Sequence, residues 1–181
     1  MAYAIRRVDG REWKQVRELR LSALADTPIG FGMWHEDALG LPDEYWQEKT
    51  RRDAADPKAA LFIAVDEETG EWVGSAGGYL ADPNSHYWLP DRDQLVVYAV
   101  YVDPAHRGRE RGVSALLFEG VIAWGGRELH TADVTLGVHE RNDRAHAFYR
   151  RFGFVDTGRS VPYNLDASAT ILIMDYRPGG Q

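Results

Sequence analysis

Hydrophobic residues alternate or run continuously in several short segments that predict β-strands. The run Leu95–Val102 is apolar throughout and rich in β-branched and aromatic residues, which is typical of a central strand covered on both faces. Two apolar runs flank the turn "DEETGE" within residues 59–80 and predict a hairpin. Residues 132–138 alternate and predict another strand. Three shorter strands are expected at 4–10, 154–160 and 169–177, the last two joined by a loop.

Other segments carry apolar residues at helical spacing. Residues 9–26 predict a helix, in which Asp9 and Glu12 resemble a capping box, and residues 42–52 predict a second helix that begins near Pro42. A third helix is expected over 112–125, where the paired glycines 125–126 would end it. Its apolar side is expected to contain Val113, Leu116, Leu117, Gly120, Val121 and Trp124. A fourth helix is expected from Asn142 to Phe152, before Gly153.

This element order, β-α-α-β-β-β-α-β-α-β-β, predicts an α/β fold in which helices cover a mixed sheet. The length of 181 residues indicates one domain, which we place at 3–177. Residues 178–181 are expected to form a frayed tail, and residues 81–94 a polar loop.

Composition excludes several classes of function. The net charge of -7 argues against a nucleic-acid partner, whose binding needs a basic surface. The lack of cysteine excludes disulfides, thiolate metal sites and a cysteine nucleophile. No apolar segment resembles a signal peptide or is long enough to span a membrane, so we expect a cytoplasmic protein with no membrane partner.

A basic turn, "DPAHRGRERGVS", follows the predicted central strand. Gly108 and Gly112 allow a ligand to approach the backbone closely, and the helix that follows offers unpaired N–H groups. Three arginines add positive charge: Arg107, Arg109 and Arg111. The turn therefore suits phosphate or pyrophosphate, although a solvated basic loop is an equal alternative. It lacks the Gly-Lys-Ser/Thr of a P-loop and the third glycine of a dinucleotide fingerprint.

A second motif, "NDRAHAFYRRFGF", opens the fourth predicted helix. Asn142 and Tyr149 are seven residues apart, so they share a helix face and lie about 10 Å apart along its axis. Ala145 lies between them and leaves room for a ligand. Each residue also has a purely structural interpretation, Asn142 as a helix cap and Tyr149 as part of the core.

Together, "VYVDPAHRGRERGVSALL" and "NDRAHAFYRRFGF" resemble the GNAT superfamily of acetyl-CoA-dependent N-acetyltransferases. The resemblance covers the whole element order, and it implies acetyl transfer to a primary amine of a small molecule or peptide. It also implies that the central strand splays from the strand carrying Val134–Val138, so that acetyl-CoA enters between them.

The resemblance assigns roles to individual residues. It places the coenzyme A pyrophosphate on the backbone of the basic turn, which comprises Arg107, Gly108, Arg109, Glu110, Arg111, Gly112, Val113 and Ser114. It pairs the pantetheine arm with the strand edge formed by Val100, Tyr101 and Val102. It makes Asn142 a contact of the cofactor arm and Tyr149 the general acid, with a backbone N–H near Val102 stabilising the oxyanion.

The turn departs from the family pattern because it has about two extra residues. Either Arg107-Gly108 keeps the usual place and the loop bulges, or Arg109-x-x-Gly112-x-Ser114 is the true register. We favour the second, because the apolar helix face follows directly after Gly112. Glu110 is unfavourable beside phosphate and is expected to point outward.

The acceptor pocket is expected between residues 29–35, 77–79 and 159–164, with side chains that could equally serve packing: Phe31, Trp34, His35, Tyr79 and Tyr163. The central strand has no carboxylate, so the general base is open among His35, Glu36, Asp93 and water. The other histidines show no metal-ligand spacing and are interpreted as structural or solvated: His86, His106, His130, His139 and His146.

Two other classes of function compete. A catalytically idle acyl-CoA-binding sensor or interaction module would explain the altered turn, but it would not need Tyr149. A nucleotide-binding regulatory domain would need a base-recognition feature that the sequence does not show. The chain is expected to be a monomer or a homodimer.

Overall fold

The computed structural model describes residues 2–81 and 93–179. Its strands are β1 (Tyr3–Arg7), β2 (Ala59–Asp66), β3 (Trp72–Ala81), β4 (Gln94–Val102), β5 (Val134–His139), β6 (Phe154–Tyr163) and β7 (Asp166–Tyr176). Its α-helices are α1 (Trp13–Asp26), α2 (His35–Leu39), α3 (Asp43–Ala55), α4 (Val113–Glu128) and α5 (Asp143–Phe152). The described strands form one mixed sheet in the order β1-β2-β3-β4-β5-β7-β6, which confirms the predicted fold class.

The centre of the sheet is split. Strands β4 and β5 run parallel and pair only through Leu95, Val96 and Val97, opposite Val134, Thr135 and Leu136. Every other neighbouring pair in the sheet is antiparallel. Beyond Val97 the two strands separate, which confirms the predicted splay.

Helices cover both faces of β4, as its continuous apolar run predicts. On one face α4 buries Leu117, Phe118 and Val121 against Leu95 and Val97. On the other face, helices α1, α2 and α3 and the segment before α2 pack with β4 in a second cluster. Its buried members are Ala23, Leu24, Phe31, Ala38, Trp46 and Tyr101. The end of β4 is therefore held between two packed layers.

Helix α4 does not end at Gly125 and Gly126, as the sequence predicts, but continues to Glu128. A Cβ atom on Gly125 would lie 2.6 Å from a methyl carbon of Leu95. This glycine therefore permits close packing of the helix on β4 and does not terminate it. Leu116, predicted on the apolar side, is 37% exposed.

Three other segments differ from prediction. The segment before α3 contains a 3-10 turn, Pro28–Gly30, and the short helix α2. Strands β6 and β7 extend until only residues 164–165 join them, so the predicted loop is a tight hairpin. Helix α1 begins only at Trp13, although the Glu12 carboxylate accepts the Asp9 N–H as in a capping box.

Most of the predicted polar loop, with His86, and the last two tail residues lie outside the described residues. Among the helices that the structure describes, none is both long enough and apolar enough to cross a bilayer.

Candidate active site

The split in the sheet opens a cavity of about 930 Å³. It is bordered by β4, β5, α5, the basic turn before α4, and the segment that joins α1 to α2. Both predicted motifs therefore reach one space. Of the residues predicted to bind the cofactor, those that line it are Val100, Tyr101, Val102, Arg107, Gly108, Arg109, Gly112, Ser114 and Asn142.

A bulge shapes the β4 edge that faces the cavity. Ala99 has a positive φ of 53°, and the register with β3 shifts at this point. The Ser75 hydroxyl donates a hydrogen bond of 2.9 Å to the Ala99 carbonyl and holds the bulge. The Asp103 N–H donates to Val73 of β3 at 2.8 Å. Because backbone groups alternate along a strand, the N–H of Val102 faces the β5 side, where the strands have separated.

The basic turn requires both of its glycines. Gly108 and Gly112 have φ values of 116° and 66°, in the left-handed region that other residues adopt only with strain. Apart from the adjacent residues, no atom of the described chain lies within 4 Å of the position that a Cβ would take at either glycine. Helix α4 begins directly after Gly112, at the position expected for the register Arg109-x-x-Gly112-x-Ser114.

Three residues of the turn lie elsewhere. Val113, the first residue of α4, is buried in the core, and Glu110 is exposed, as expected. Arg111 contacts the hydroxyl of Tyr3, with 3.5 Å between the two polar atoms. None of the three lines the cavity, so a role for them in phosphate binding rests on their backbone groups alone.

Arg107 ties the turn to its surroundings. Its Nε donates a 2.7 Å hydrogen bond to the Val102 carbonyl, and its guanidinium forms an ion pair with Asp26 at the end of α1. Burial alone would raise the pKa of Asp26, but hydrogen bonds from Arg107 and Thr27 outweigh burial and lower that pKa. The pair therefore stays charged at neutral pH and fixes the turn beside β4.

Helix α5 positions the two residues of the second motif. The Asn142 side chain accepts the Ala145 N–H at 3.2 Å, so it caps the helix and also lines the cavity. Tyr149 is buried among aromatic rings that include Phe118 and Phe154, and it lines the same cavity. Burial raises the pKa of Tyr149, because the ionised phenolate would lose its hydration.

The opposite part of the cavity is aromatic. Phe31, Tyr79 and Tyr163 line it, and the Tyr163 hydroxyl donates a 2.6 Å hydrogen bond to the Phe31 carbonyl. Trp34 and His35, which we expected in the same pocket, do not line it. The chain turns into α2 at this point, which carries both side chains away and leaves Trp34 45% exposed.

Several polar residues that line the cavity were not predicted as site residues, and two of them, Arg20 and His139, lie on elements that the sequence analysis did not connect with a ligand. Arg20 lies on the packing face of α1, four residues after the buried Val16 and three before the buried Ala23. A charged residue at the helical spacing of buried apolar residues was the signal in the sequence that could have identified Arg20. His139, which we interpreted as structural or solvated, ends β5, is 3% exposed and also lines the cavity.

The predicted candidates for the general base do not reach the cavity. His35, Glu36 and Asp93 all lie outside its lining, and within the described part of the chain no aspartate or glutamate lines it. Of the four options, water is the one that the geometry leaves.

A mixed sheet split between two parallel strands, with a glycine-containing basic turn and a buried phenol at the split, defines the class of coenzyme A-dependent acyltransferases. The acetyltransferase (GNAT) family matches residues 15–154, and the chain belongs to this family.

Known relatives agree with this assignment. The mycothiol acetyltransferase of Mycolicibacterium gilvum (strain PYR-GCK) is 32% identical over 137 residues, which make up 72% of this chain. The chain spans only 40% of the length of that relative.

Solved structures share the fold. A GNAT-family acetyltransferase from Streptococcus pneumoniae superposes with a TM-score of 0.71 at 15% identity, over 96% of this chain and 98% of that one. A putative acetyltransferase from Salmonella typhimurium, solved with its cofactor acetyl-CoA, gives 0.69 at 17% identity, over 100% and 96% of the two chains.

Proposed function

We propose that this protein is an N-acetyltransferase that moves the acetyl group of acetyl-CoA directly to a primary amine, with Tyr149 as the general acid. The observation that carries the proposal is that a buried phenol and a basic helix-start turn line one cavity in a split sheet. The family and the acetyltransferase relative support acetyl transfer.

The residues of the cavity fit acetyl-CoA. Open space beside Gly108 and Gly112 gives phosphates access to the backbone at the start of α4, where N–H groups are unpaired. Arg109 lines the cavity at this turn and adds positive charge. The separated edge of β4 offers hydrogen-bonding groups to an extended arm. When bound, acetyl-CoA would supply an acetyl thioester with a thiol leaving group.

The chain's own groups account for the other parts of the reaction. The Val102 N–H faces the gap between the strands and can donate a hydrogen bond to the carbonyl oxygen that gains charge. Tyr149 protonates the sulfur as the carbon–sulfur bond breaks, and it recovers its proton from solvent. A carbon–nitrogen bond forms in exchange, and no enzyme-bound acyl group is needed.

The amine must reach the cavity without its extra proton. Since no described carboxylate lines the cavity, we assign removal of that proton to water. The amine then attacks as the neutral base, so the reaction depends on the acceptor's own ionisation.

Removal of the Tyr149 hydroxyl tests its role as the general acid. Tyr149→Phe is expected to lower kcat by about 10²- to 10⁴-fold while the Kd for acetyl-CoA stays within a few-fold, because only proton transfer is lost. Tyr176→Phe is the matched control, since Tyr176 packs in the same aromatic cluster without lining the cavity. Calorimetric titration gives the Kd, and release of free thiol gives kcat.

The alternative is an idle acyl-CoA-binding module. Acetyl-CoA binding without turnover on a broad panel of amines would favour that module. Turnover that survives in Tyr149→Phe would remove Tyr149 from the mechanism but leave the enzyme assignment intact.

A further inference from the structure

The charge of the cavity is opposite to that of the molecule. The protein has a net charge of -7, yet five arginines line the cavity and no described aspartate or glutamate does: Arg20, Arg107, Arg109, Arg144 and Arg151. Four of them belong to the basic turn or to α5, whereas Arg20 belongs to α1. A polycationic acceptor would meet repulsion here and no carboxylate partner.

Arg20 is a cation without an anion. It forms no ion pair or hydrogen bond with the residues described, and its guanidinium lies 4.4 Å from the ring centroid of Phe31. Burial lowers the pKa of Arg20, which shows that desolvation of this charge is not compensated by a carboxylate. By contrast, Arg107 and Arg144 both approach Asp26.

Arg20 is also separate from the basic turn. It precedes Asp26, the partner of Arg107, by six residues of α1, which corresponds to about 9 Å along the helix axis. The ring of Phe31, over which its guanidinium lies, belongs to the aromatic part of the cavity rather than to the turn. Arg20 is thus placed for the acceptor and not for the pyrophosphate.

His139 supplies a second unpaired donor. Its Nδ1 accepts the backbone N–H of Arg141 at 3.1 Å, so the neutral imidazole carries its proton on Nε2. This Nε2 is buried and has no partner within the described chain. The ring packs edge-on against Tyr163, with 4.8 Å between centroids, on the aromatic side of the cavity. A buried donor without an acceptor is costly unless a ligand completes it.

We propose that the amine acceptor is a small molecule that also carries a carboxylate, and that Arg20 and His139 bind this carboxylate. This inference rests on the proposed function. A guanidinium and an imidazole N–H both donate hydrogen bonds, and a carboxylate accepts from both. The aromatic walls formed by Phe31, Tyr79 and Tyr163 would contact the rest of such a molecule. An amino acid with a free carboxyl group is the simplest member of this class.

Matched acceptor pairs test this inference. L-phenylalanine and L-leucine are each compared with their carboxamides and with the corresponding aminophosphonic acids, using acetyl-CoA and the full chain. We expect kcat/KM to be about 10- to 100-fold higher for the acids than for the carboxamides, after correction for amine pKa. The aminophosphonic acids show whether another oxyanion can replace the carboxylate.

Variants assign the preference to Arg20. Arg20→Gln should lower the rate for the acids far more than the rate for the carboxamides and so abolish the acid-over-amide ratio, while Arg20→Lys should retain part of that ratio. Arg17→Gln removes the same charge one turn earlier on α1, outside the cavity lining, and should keep the ratio. Equal rates for acids and carboxamides, or an equal loss for both in Arg20→Gln, would overturn the inference.

A binding measurement separates this inference from the proposed function. L-phenylalanine is titrated into the complex with coenzyme A, for the original chain and for Arg20→Gln. If no amine on the panel is acetylated but the amino acid binds and Arg20→Gln loses that binding, the anion site stands and the catalytic proposal fails. If neither turnover nor binding depends on Arg20, the anion site fails.

Discussion

Tyr149 retains its proton over a wide pH range because it is buried. Burial raises its pKa above the ordinary value near 10, so the acid form persists through neutral and mildly alkaline solution. The acceptor ammonium behaves in the opposite way, since it becomes reactive only as its proton leaves. We therefore expect kcat/KM to rise about tenfold per pH unit and to level near the acceptor's own amine pKa, without a decline below about pH 10.

The pH dependence is measured with two acceptors whose amine pKa values differ. The plateau should move with the acceptor, because in this proposal water and not a side chain receives the proton. A rise that stays at one pH for both acceptors would reveal a titrating base on the protein, and a decline below about pH 10 would exclude Tyr149 as the acid.

The sequence predicted that a residue lines the cavity when the spacing within one helix was enough to place it there. Asn142 and Tyr149 are seven residues apart on one short helix, and that spacing alone brought both to the cavity. Arg20 and His139 belong to the same cavity, but their placement depends on burial by distant elements. Trp34 and His35 show the reverse error, because a short helix not visible in the pattern carries them away.

Helices and strands were likewise predicted correctly where the sequence signal is local. The hairpin, the central strand and α5 were predicted because hydrophobic period and turn residues act locally. The loop predicted between β6 and β7 was wrong because Pro162 was taken to interrupt a strand. Strand β6 lies at the edge of the sheet, where a proline leaves no ladder partner unsatisfied.

Helix α4 offers a paired test of why its glycines are there. Gly125 is buried against Leu95, whereas a Cβ placed on the exposed Gly126 would have no described atom within 4 Å apart from its chain neighbours and the helix's own backbone. Gly126→Ala should therefore raise the free energy of unfolding by up to about 1 kcal/mol, since alanine favours the helix. Gly125→Ala should lower it by about 1–3 kcal/mol, because the methyl group overpacks the interface.

Urea unfolding of the two variants measures both changes under one set of conditions. Opposite signs are the expected outcome. A gain in stability for both would mean that α4 can move away from β4 without cost, and that the close approach at Gly125 does not hold the central strand.

At the scale of the whole molecule, charge is segregated. Carboxylates outnumber basic residues by 28 to 21, yet the described cavity lining carries arginines and no carboxylate. Under the proposed function, an anionic cofactor approaches an acidic molecule and binds in a basic cleft. Repulsion by the surface carboxylates acts over longer distances than attraction by the cavity arginines, so their dependence on salt distinguishes them.

Above 0.1 M ionic strength, the salt dependence of cofactor binding reports on the charges of the cavity rather than on those of the distant surface. The Debye length is about 10 Å at 0.1 M, so repulsion from distant carboxylates is already screened, while contacts with the cavity arginines remain to be weakened. We expect the Kd for coenzyme A to increase steadily between about 0.1 and 0.5 M salt. Dephospho-coenzyme A lacks one phosphate and should show a shallower dependence. Equal slopes for the two ligands would place that phosphate outside the reach of the arginines, and tighter binding at high salt would mean that the acidic surface dominates.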